Sequence, residues 1–298
     1  MSLDHEARRH RIGASEVAAI LGENPNMTPL DVWMVKTGQA APFEGNEHTR
    51  RGQRQERQIL EWLAEELGRR IAISCPSVNH SGGLASATPD GIVLGSVKDD
   101  FLWEFERFEQ PISDFLAETY GGGAVIRYEL AEAKSTLKTI RSEEDIPVTW
   151  IIQCQWQMMC TGLKKAHLAI FGPMVSDYQR FEITYDEDYA ADLLQQAQEW
   201  WDVHIVGGNM PEPINSNDAA LLWPRDDGSS IEAVPSLAKA IADYSSLKAQ
   251  ERDIKAACLP LRDRITLAIG AAKTVRYGGR TIATFATDKN GNRSLRTF

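Results

Sequence analysis

Between Asn46 and Leu67 the apolar residues Ile59, Leu60, Trp62, Leu63 and Leu67 recur at helical spacing, with Arg, Gln and Glu between them. That period predicts a long amphipathic helix with one face on a core. Helix punctuation precedes it. Ser15 stands as an N-cap before Glu16-Val-Ala-Ala-Ile-Leu21 with Gly22 as the stop, and Thr28-Pro29 opens Leu30 to Lys36 with Gly38 beyond. Short apolar runs predict strands near 71–74, 84–87, 91–94, 166–171 and 180–183, with helices from about Thr149 and from Glu187 to about Val206. The run Ala124 to Ala131, closed by Glu132-Ala133-Lys134, is a strand with two distinct faces. Ile126, Tyr128, Leu130, Glu132 and Lys134 share one side, while Val125, Arg127, Glu129, Ala131 and Ala133 take the other.

Gly207-Gly-Asn-Met-Pro-Glu-Pro reads as a linker, so the pattern predicts a domain over 1–207 and an appendage over 208–298. In the appendage, Ser236 to about Ala271 has the spacing of a helical hairpin or short coiled coil with a break near Leu259-Pro260. Thr274 to Phe285 is a β-hairpin turning on Gly278-Gly279. The fold class expected is α/β, a central mixed β-sheet flanked by helices, followed by a C-terminal helical hairpin and β-hairpin. Trp156, Met158 and Met159 are read as core packing rather than as a base-stacking platform.

Length and composition narrow this further. At 298 residues with 43% apolar content the chain can bury a sizeable core. No apolar run reaches the length of a membrane span and the start is too polar for a signal peptide, so a cytoplasmic protein is expected. The four cysteines, Cys75, Cys154, Cys160 and Cys258, show no Cys-x-x-Cys pair and read as reduced thiols. Net charge is −10, with 32 Lys and Arg against 42 Asp and Glu, yet the basic residues cluster. Arg8, Arg9 and Arg11 open the chain; Arg50, Arg51, Arg54 and Arg57 share one helical stretch with Glu56; and Lys273 to Phe298 is basic. Such clusters fit a basic channel in an acidic shell, or solvated faces, and for the tail the solvated face is the commoner reading.

The candidate chemistry lies where the apolar face of the 124–134 strand ends in Glu132 and Lys134. Burying those groups costs several kcal/mol unless they are paired or hold a metal. With Asp90 in the turn Pro89-Asp90-Gly91 and the backbone carbonyl of Ala133, they make a hard-oxygen cradle for Mg²⁺ or Mn²⁺ beside an ammonium, a combination suited to phosphodiester hydrolysis. Taken alone, a surface turn and a surface salt bridge explain the same residues equally well.

Five blocks in order break that tie: Arg11-Ile-Gly-Ala-Ser15-Glu16 with Ile20-Leu21-Gly22, Arg51-Gly-Gln-Arg54-Gln-Glu56, Ala87-Thr-Pro-Asp90-Gly91, Glu132-Ala133-Lys134, and Gln153-Cys-Gln-Trp-Gln157 running on to Gly162-Leu-Lys-Lys. Over about residues 8–205 the chain resembles the YqaJ-type viral recombinases, the group that includes phage lambda exonuclease, within the PD-(D/E)xK nucleases. The resemblance implies a restriction-endonuclease-like core and a Mg²⁺-dependent, or Mn²⁺-dependent, 5′ to 3′ exonuclease acting on double-stranded DNA ends. It further implies a phage or prophage origin, a single-strand annealing protein as partner, and a homo-oligomer in the form of a trimeric ring.

Position by position, the resemblance implies that Asp90 and Glu132 are metal ligands together with the Ala133 carbonyl, and that Lys134 is the catalytic lysine. Glu56 borders the site, and Gln153 contacts it from the following helix. Arg11 and Ser15 match a 5′-phosphate receptor, and Arg51 and Arg54, in the block that carries Glu56, are expected to bind the 5′-phosphate or the DNA beside it. The sequence departs from the pattern in three places. There is an insertion from Lys98 to about Gly123 whose middle reads as an acidic, aromatic helix. His80 stands where relatives have a further acidic residue, and is a metal-ligand candidate because RecB-type nucleases use a histidine thereabouts. Gln157 stands where many relatives carry Tyr. No clustered cysteine set exists, so no iron–sulfur cluster is expected. Two other readings stay open: a structure-specific DNA endonuclease, and a non-catalytic DNA-binding recombination module.

Overall fold

The structure is a computed structural model and describes residues 9–41, 45–96, 102–104, 128–174, 177–288 and 291–298. Its contacts divide the chain into two units, Met1–Arg225 and Asp226–Phe298.

The first unit opens with β1 (Ile12–Gly13), α1 (Val17–Ile20), α2 (Pro29–Lys36) and the long α3 (Glu47–Leu67). Thr28 caps α2 in a reciprocal capping box with Asp31, and Pro29 fills the first turn, where no N–H is needed. Asn46 caps α3, whose end is turned by Gly68 at φ 58°. Ser15 does not cap α1. Its side chain is exposed, no side chain caps the helix, and the carboxylate of Glu16 instead reaches back to the upstream Gly13 N–H (2.7 Å).

Strands β2 (Arg69–Ile73), β3 (Val78–Asn79), β4 (Ala85–Ala87), β5 (Gly91–Ser96) and β6 (Leu102–Glu104) follow, then β7 (Glu129–Ser135), α4 (Val148–Thr161), β8 (Lys165–Phe171), β9 (Tyr178–Thr184) and α5 (Glu187–Trp201). A mixed six-stranded sheet runs in the order β6-β2-β5-β7-β8-β9, and β1-β4-β3 form a small separate sheet. β7 lies inside the large sheet, antiparallel to β5 and parallel to β8. The alternation of its side chains is realised in packing. Leu130 joins Cys154 and Met158 of α4 on one face, while Ala131 joins Ile59, Leu60 and Leu63 of α3 on the other. Trp156 and Met158 are fully buried, and the Trp156 indole donates to the Ser86 carbonyl (3.2 Å), tying α4 to β4. Within the inserted stretch the described residues form β6, parallel to β2; the acidic helix expected there lies outside the described residues.

The first unit continues past the glycine pair at 207–208. Asp218, on α6 (Ser216–Leu222), is buried and accepts from the Thr28 hydroxyl (2.8 Å) and the Ile214 N–H (2.9 Å). The second unit holds α7 (Pro235–Ile269) and a sheet of β10 (Thr274–Tyr277), β11 (Arg280–Thr287) and β12 (Arg293–Thr297). The Gly278-Gly279 turn is present, both residues with positive φ. The helical hairpin is not: α7 is one continuous helix with Pro260 inside it. A proline removes one N–H but keeps a helical φ, and Leu259-Pro260-Leu261-Arg262 offers no Gly, Asn or Asp to reverse the chain. Among the described residues no helix is long and apolar enough to cross a membrane.

Candidate active site

The site forms where β5 gives out beside β7. The ladder between them ends at Gly91 opposite Ala131, so β7 runs on past the start of β5, and the residue just before that start is Asp90. Its carboxylate takes over the vacated pairing, with Oδ2 accepting the Ala133 N–H at 2.9 Å. On a strand a residue's N–H and C=O point to the same side, which sets the Ala133 carbonyl on the edge that Asp90 occupies.

From the opposite face of the strand Glu132 projects toward α4. It is buried to 1% exposure and held at both oxygens: Oε1 accepts from Lys134 Nζ (2.5 Å) and Gln153 Nε2 (2.6 Å), and Oε2 accepts from Gln157 Nε2 (2.8 Å). Gln153 and Gln157 lie one turn apart on α4 and so present one face. The Lys134 ammonium also donates to Gln153 Oε1 at 2.8 Å, closing a ring of Glu132, Lys134 and Gln153. Sequence reasoning left Gln157 as a bare departure from the pattern and did not single out Gln55. In the fold Gln55 of α3 accepts from the Ser135 hydroxyl (2.5 Å) and from Arg51 Nε (3.0 Å), clamping the end of β7 to α3. The spacing of Gln153 and Gln157 was the available signal for the former.

The electrostatics mark an excess of negative charge. Burial, and then the neighbouring carboxylates Glu132 and Glu56, push Asp90 well above the ordinary carboxylate range. Glu56 is raised by burial and by Glu132, with Lys134 opposing. Burial alone would depress the Lys134 ammonium, but Glu132 and Asp90 outweigh it and its pKa rises. The lysine therefore stays a cation across the neutral range.

Asp90, Glu132, Lys134, Glu56 and Gln153 thus come together. Arg11 and Ser15 flank β1, which pairs in parallel with β4, and β4 leads within three residues to Asp90. The Arg11 Nε is buried and meets no acceptor among the described residues. The helix behind Ser15 is a single turn, and Glu16, paired with Lys36 at 2.7 Å, occupies the chain entry. Arg51 is spent partly on Gln55 and on the Gly172 carbonyl (3.4 Å), and Arg54 is exposed on the same helix.

His80 sits in the turn between β3 and β4, where its Nδ1 accepts from the Gly82 N–H (3.3 Å) and its backbone lies against Cys160. His80→Ala is accordingly expected to leave Mn²⁺ affinity unchanged in calorimetry; a tenfold loss would restore the histidine to the ligand set. Among the described residues no three His, Cys, Asp or Glu side chains form a metal-binding group.

The fold and the site together define an enzyme of the nuclease class, a mixed sheet whose inner strand ends in carboxylate, backbone carbonyl and lysine. The chain belongs to the YqaJ-like viral recombinase domain family, whose model matches residues 5–164, more than half of its length. Among solved structures it is similar to an alkaline exonuclease (LHK-Exo) from Laribacter hongkongensis, with 17% identity, a TM-score of 0.47, and coverage of 74% of this chain and 98% of that one. It is also similar to a phage-related exonuclease from Haemophilus somnus 129PT, with 13% identity, a TM-score of 0.44, and coverage of 67% and 96%. No curated protein matches the chain.

Proposed function

We propose that this protein is a Mg²⁺- or Mn²⁺-dependent 5′ to 3′ exonuclease that resects double-stranded DNA ends, supplying single strands to an annealing protein in phage-type recombination. The observation that carries the reading is the convergence of Asp90, the Ala133 backbone and Glu132 at one strand end, with Lys134 bridging Glu132 and Gln153. The donor set fits a hard divalent cation: Asp90 and Glu132 would hold it with the Ala133 carbonyl, and Glu56 would border it. The raised carboxylates supply the reason, since a cation relieves the repulsion that now favours their protonated forms. When bound, the metal supplies Lewis-acid polarisation of a phosphodiester oxygen and a more acidic water.

The chain's own groups do the positioning. Gln153 and Gln157 fix the Glu132 carboxylate at both oxygens, so its lone pairs point one way without rearrangement. Lys134 places a permanent positive charge where negative charge develops on phosphorus. Arg11 would meet a terminal phosphate, and the exposed Arg54 would follow the backbone. A trimeric ring around the DNA is part of the same reading.

One gel separates the alternatives. Linear duplexes with 5′-phosphate, 5′-hydroxyl or hairpin-sealed ends are incubated with Mg²⁺ or with chelator. Digestion of open ends only, abolished by chelator, is expected; cutting of sealed substrates would make the enzyme an endonuclease, and retardation without cutting a binding module. Arg11→Ala is expected to slow digestion of 5′-phosphorylated ends by about tenfold or more, the worth of one charge-assisted hydrogen bond. An equal loss on 5′-hydroxyl ends would remove Arg11 from the end pocket.

A further inference from the structure

In a chain that is acidic as a whole, residues 273–298 carry Lys273, Arg276, Arg280, Lys289, Arg293 and Arg296 against the single acid Asp288. This stretch forms the sheet of β10, β11 and β12, and the two faces of that sheet differ. Directly opposed residues of antiparallel strands share a face, and so do residues two apart on one strand. By register, Val275, Ala283, Phe285, Leu295 and Arg293 fall on one face. That face is covered. Ala283 is buried, and the Arg293 guanidinium lies over the Phe285 ring at 4.0 Å while donating to the carbonyls of Gly270 and Ala272, at 2.6 Å each.

The opposite face is open. Tyr277 pairs with Arg280 across the Gly278-Gly279 turn, Thr284 pairs with Arg296, and the Phe298 N–H donates to the Ile282 carbonyl at 3.0 Å. Arg280, Ile282 and Thr284 alternate along β11, so these side chains all emerge on one side. Tyr277 is 80% exposed, Phe298 79% and Ile282 42%, and both arginines are exposed beside them. Among the described residues neither Arg280 nor Arg296 pairs with a carboxylate.

Two properties of this face select its ligand. The arginines, in a stretch almost free of acids, call for anionic groups, and the exposed rings call for flat apolar surfaces to stack on. Phosphates and bases supply both, but a duplex keeps its base faces stacked inside, so only a single strand presents them together. Tyr277 and Phe298 lie two strand spacings and two residues apart, roughly 12 Å, which gives each ring a different base. We propose that this face of the C-terminal sheet binds single-stranded nucleic acid, with Tyr277 and Phe298 stacking on separate bases, Ile282 between them, and Arg280 and Arg296 on the phosphates. Every residue of this site belongs to the second unit, whereas Asp90, Glu132 and Lys134 belong to the first.

The test uses the full-length chain in chelator, so that nothing is digested, and a labelled oligothymidylate closed into a circle, which offers no end to a terminal-phosphate pocket. Binding is followed by fluorescence anisotropy. Tyr277→Ala/Phe298→Ala is expected to weaken binding about tenfold or more, whereas Tyr277→Trp/Phe298→Trp keeps it within about threefold, because stacking needs a ring and not a particular one. Arg280→Ala and Arg296→Ala are each expected to lower the slope of log affinity against log salt by about 0.7. An abasic circle of the same length is expected to bind parent and double alanine variant equally, and both to show the same circular dichroism, since neither ring is buried. Equal binding of oligothymidylate by parent and double alanine variant overturns the proposal and leaves the face to a protein partner. Equal binding of abasic and base-bearing circles by the parent overturns it too, reducing the face to a grip on phosphates. Loss of the exonuclease reading would leave these binding results unchanged, because none of them depends on digestion.

Discussion

Replacing Lys134 with Ala is expected to slow digestion of a 5′-phosphorylated duplex by at least about 10²–10³-fold, the range seen when one preorganised charge-stabilising donor is removed. The size of the effect follows from position. Lys134 bridges Glu132 and Gln153, and the neighbouring carboxylates keep it charged, so no proton equilibrium near neutrality dilutes its field. Its removal also leaves a buried carboxylate without its counter-ion, at a cost of up to about 3–5 kcal/mol. Gln153 and Gln157 remain on Glu132 and moderate that loss. The rate is therefore to be compared at 25 °C on protein with native near-ultraviolet circular dichroism and retained duplex binding. Digestion within tenfold of the parent rate would take the lysine out of the chemistry.

The second large effect has opposite signs for activity and stability. Asp90→Asn is expected to abolish digestion yet to raise the metal-free unfolding temperature of the first unit at pH 8 by about 2–4 °C, the response of a domain of this size to about 1 kcal/mol. The amide oxygen can still accept the Ala133 N–H, while the negative charge that repels Glu132 and Glu56 is gone. Both Asp90 and Glu56 have pKa values raised in the folded state, so the folded chain retains protons that the unfolded chain releases. Their contribution to stability is complete below the ordinary carboxylate pKa and is lost as pH rises through the folded value. In metal-free parent protein the contribution of these two groups should therefore fall as pH rises above about 4, read as the difference in stability between parent and Asp90→Asn. Asp90→Asn should flatten that decline, and saturating Mg²⁺ should oppose it in the parent alone. A variant less stable than the parent at pH 8 without metal would show that Asp90 is held by favourable bonds and not strained against its neighbours.

A site of this kind trades stability for function: two carboxylates are held where each disfavours the other's charge, and the surrounding fold bears the cost. The glutamines of α4 show how the fold does so. Each donates an N–H to Glu132, and the buried Oε1 of Gln157 has no partner among the described residues, a cost of the polar demand that the site imposes on its supporting helix.

Much of this was legible in the chain. Local rules placed α2 and α3, because Thr28, Pro29, Asn46 and Gly68 act within a few residues of themselves, and the two-residue period of β7 assigned Leu130 and Ala131 to opposite cores before any neighbour was known. The ordered blocks singled out Asp90, Glu132, Lys134, Glu56 and Gln153. Where a reading depended on what lies across space, it failed or fell silent. His80 was placed by motif distance along the chain, and in the fold its ring nitrogen bonds within its own turn, to Gly82. Ser15 had the composition of a cap, but the helix begins one residue later and no side chain caps it. Pro260 had the look of a break, but a helix loses one hydrogen bond to a proline and continues.

The sequence by itself determined which elements form, which of their faces are apolar, and which residue types stand ready for phosphodiester chemistry, because propensity, capping and periodicity are properties of neighbours along the chain. Only the tertiary structure decided that β5 begins one residue after Asp90 and leaves its carboxylate to take the Ala133 N–H, that two glutamines one turn apart close on Glu132, and that apolar residues of α7 are left exposed. Those outcomes depend on strand register and on the packing of segments distant in sequence, and such contacts leave no local trace in the order of residues.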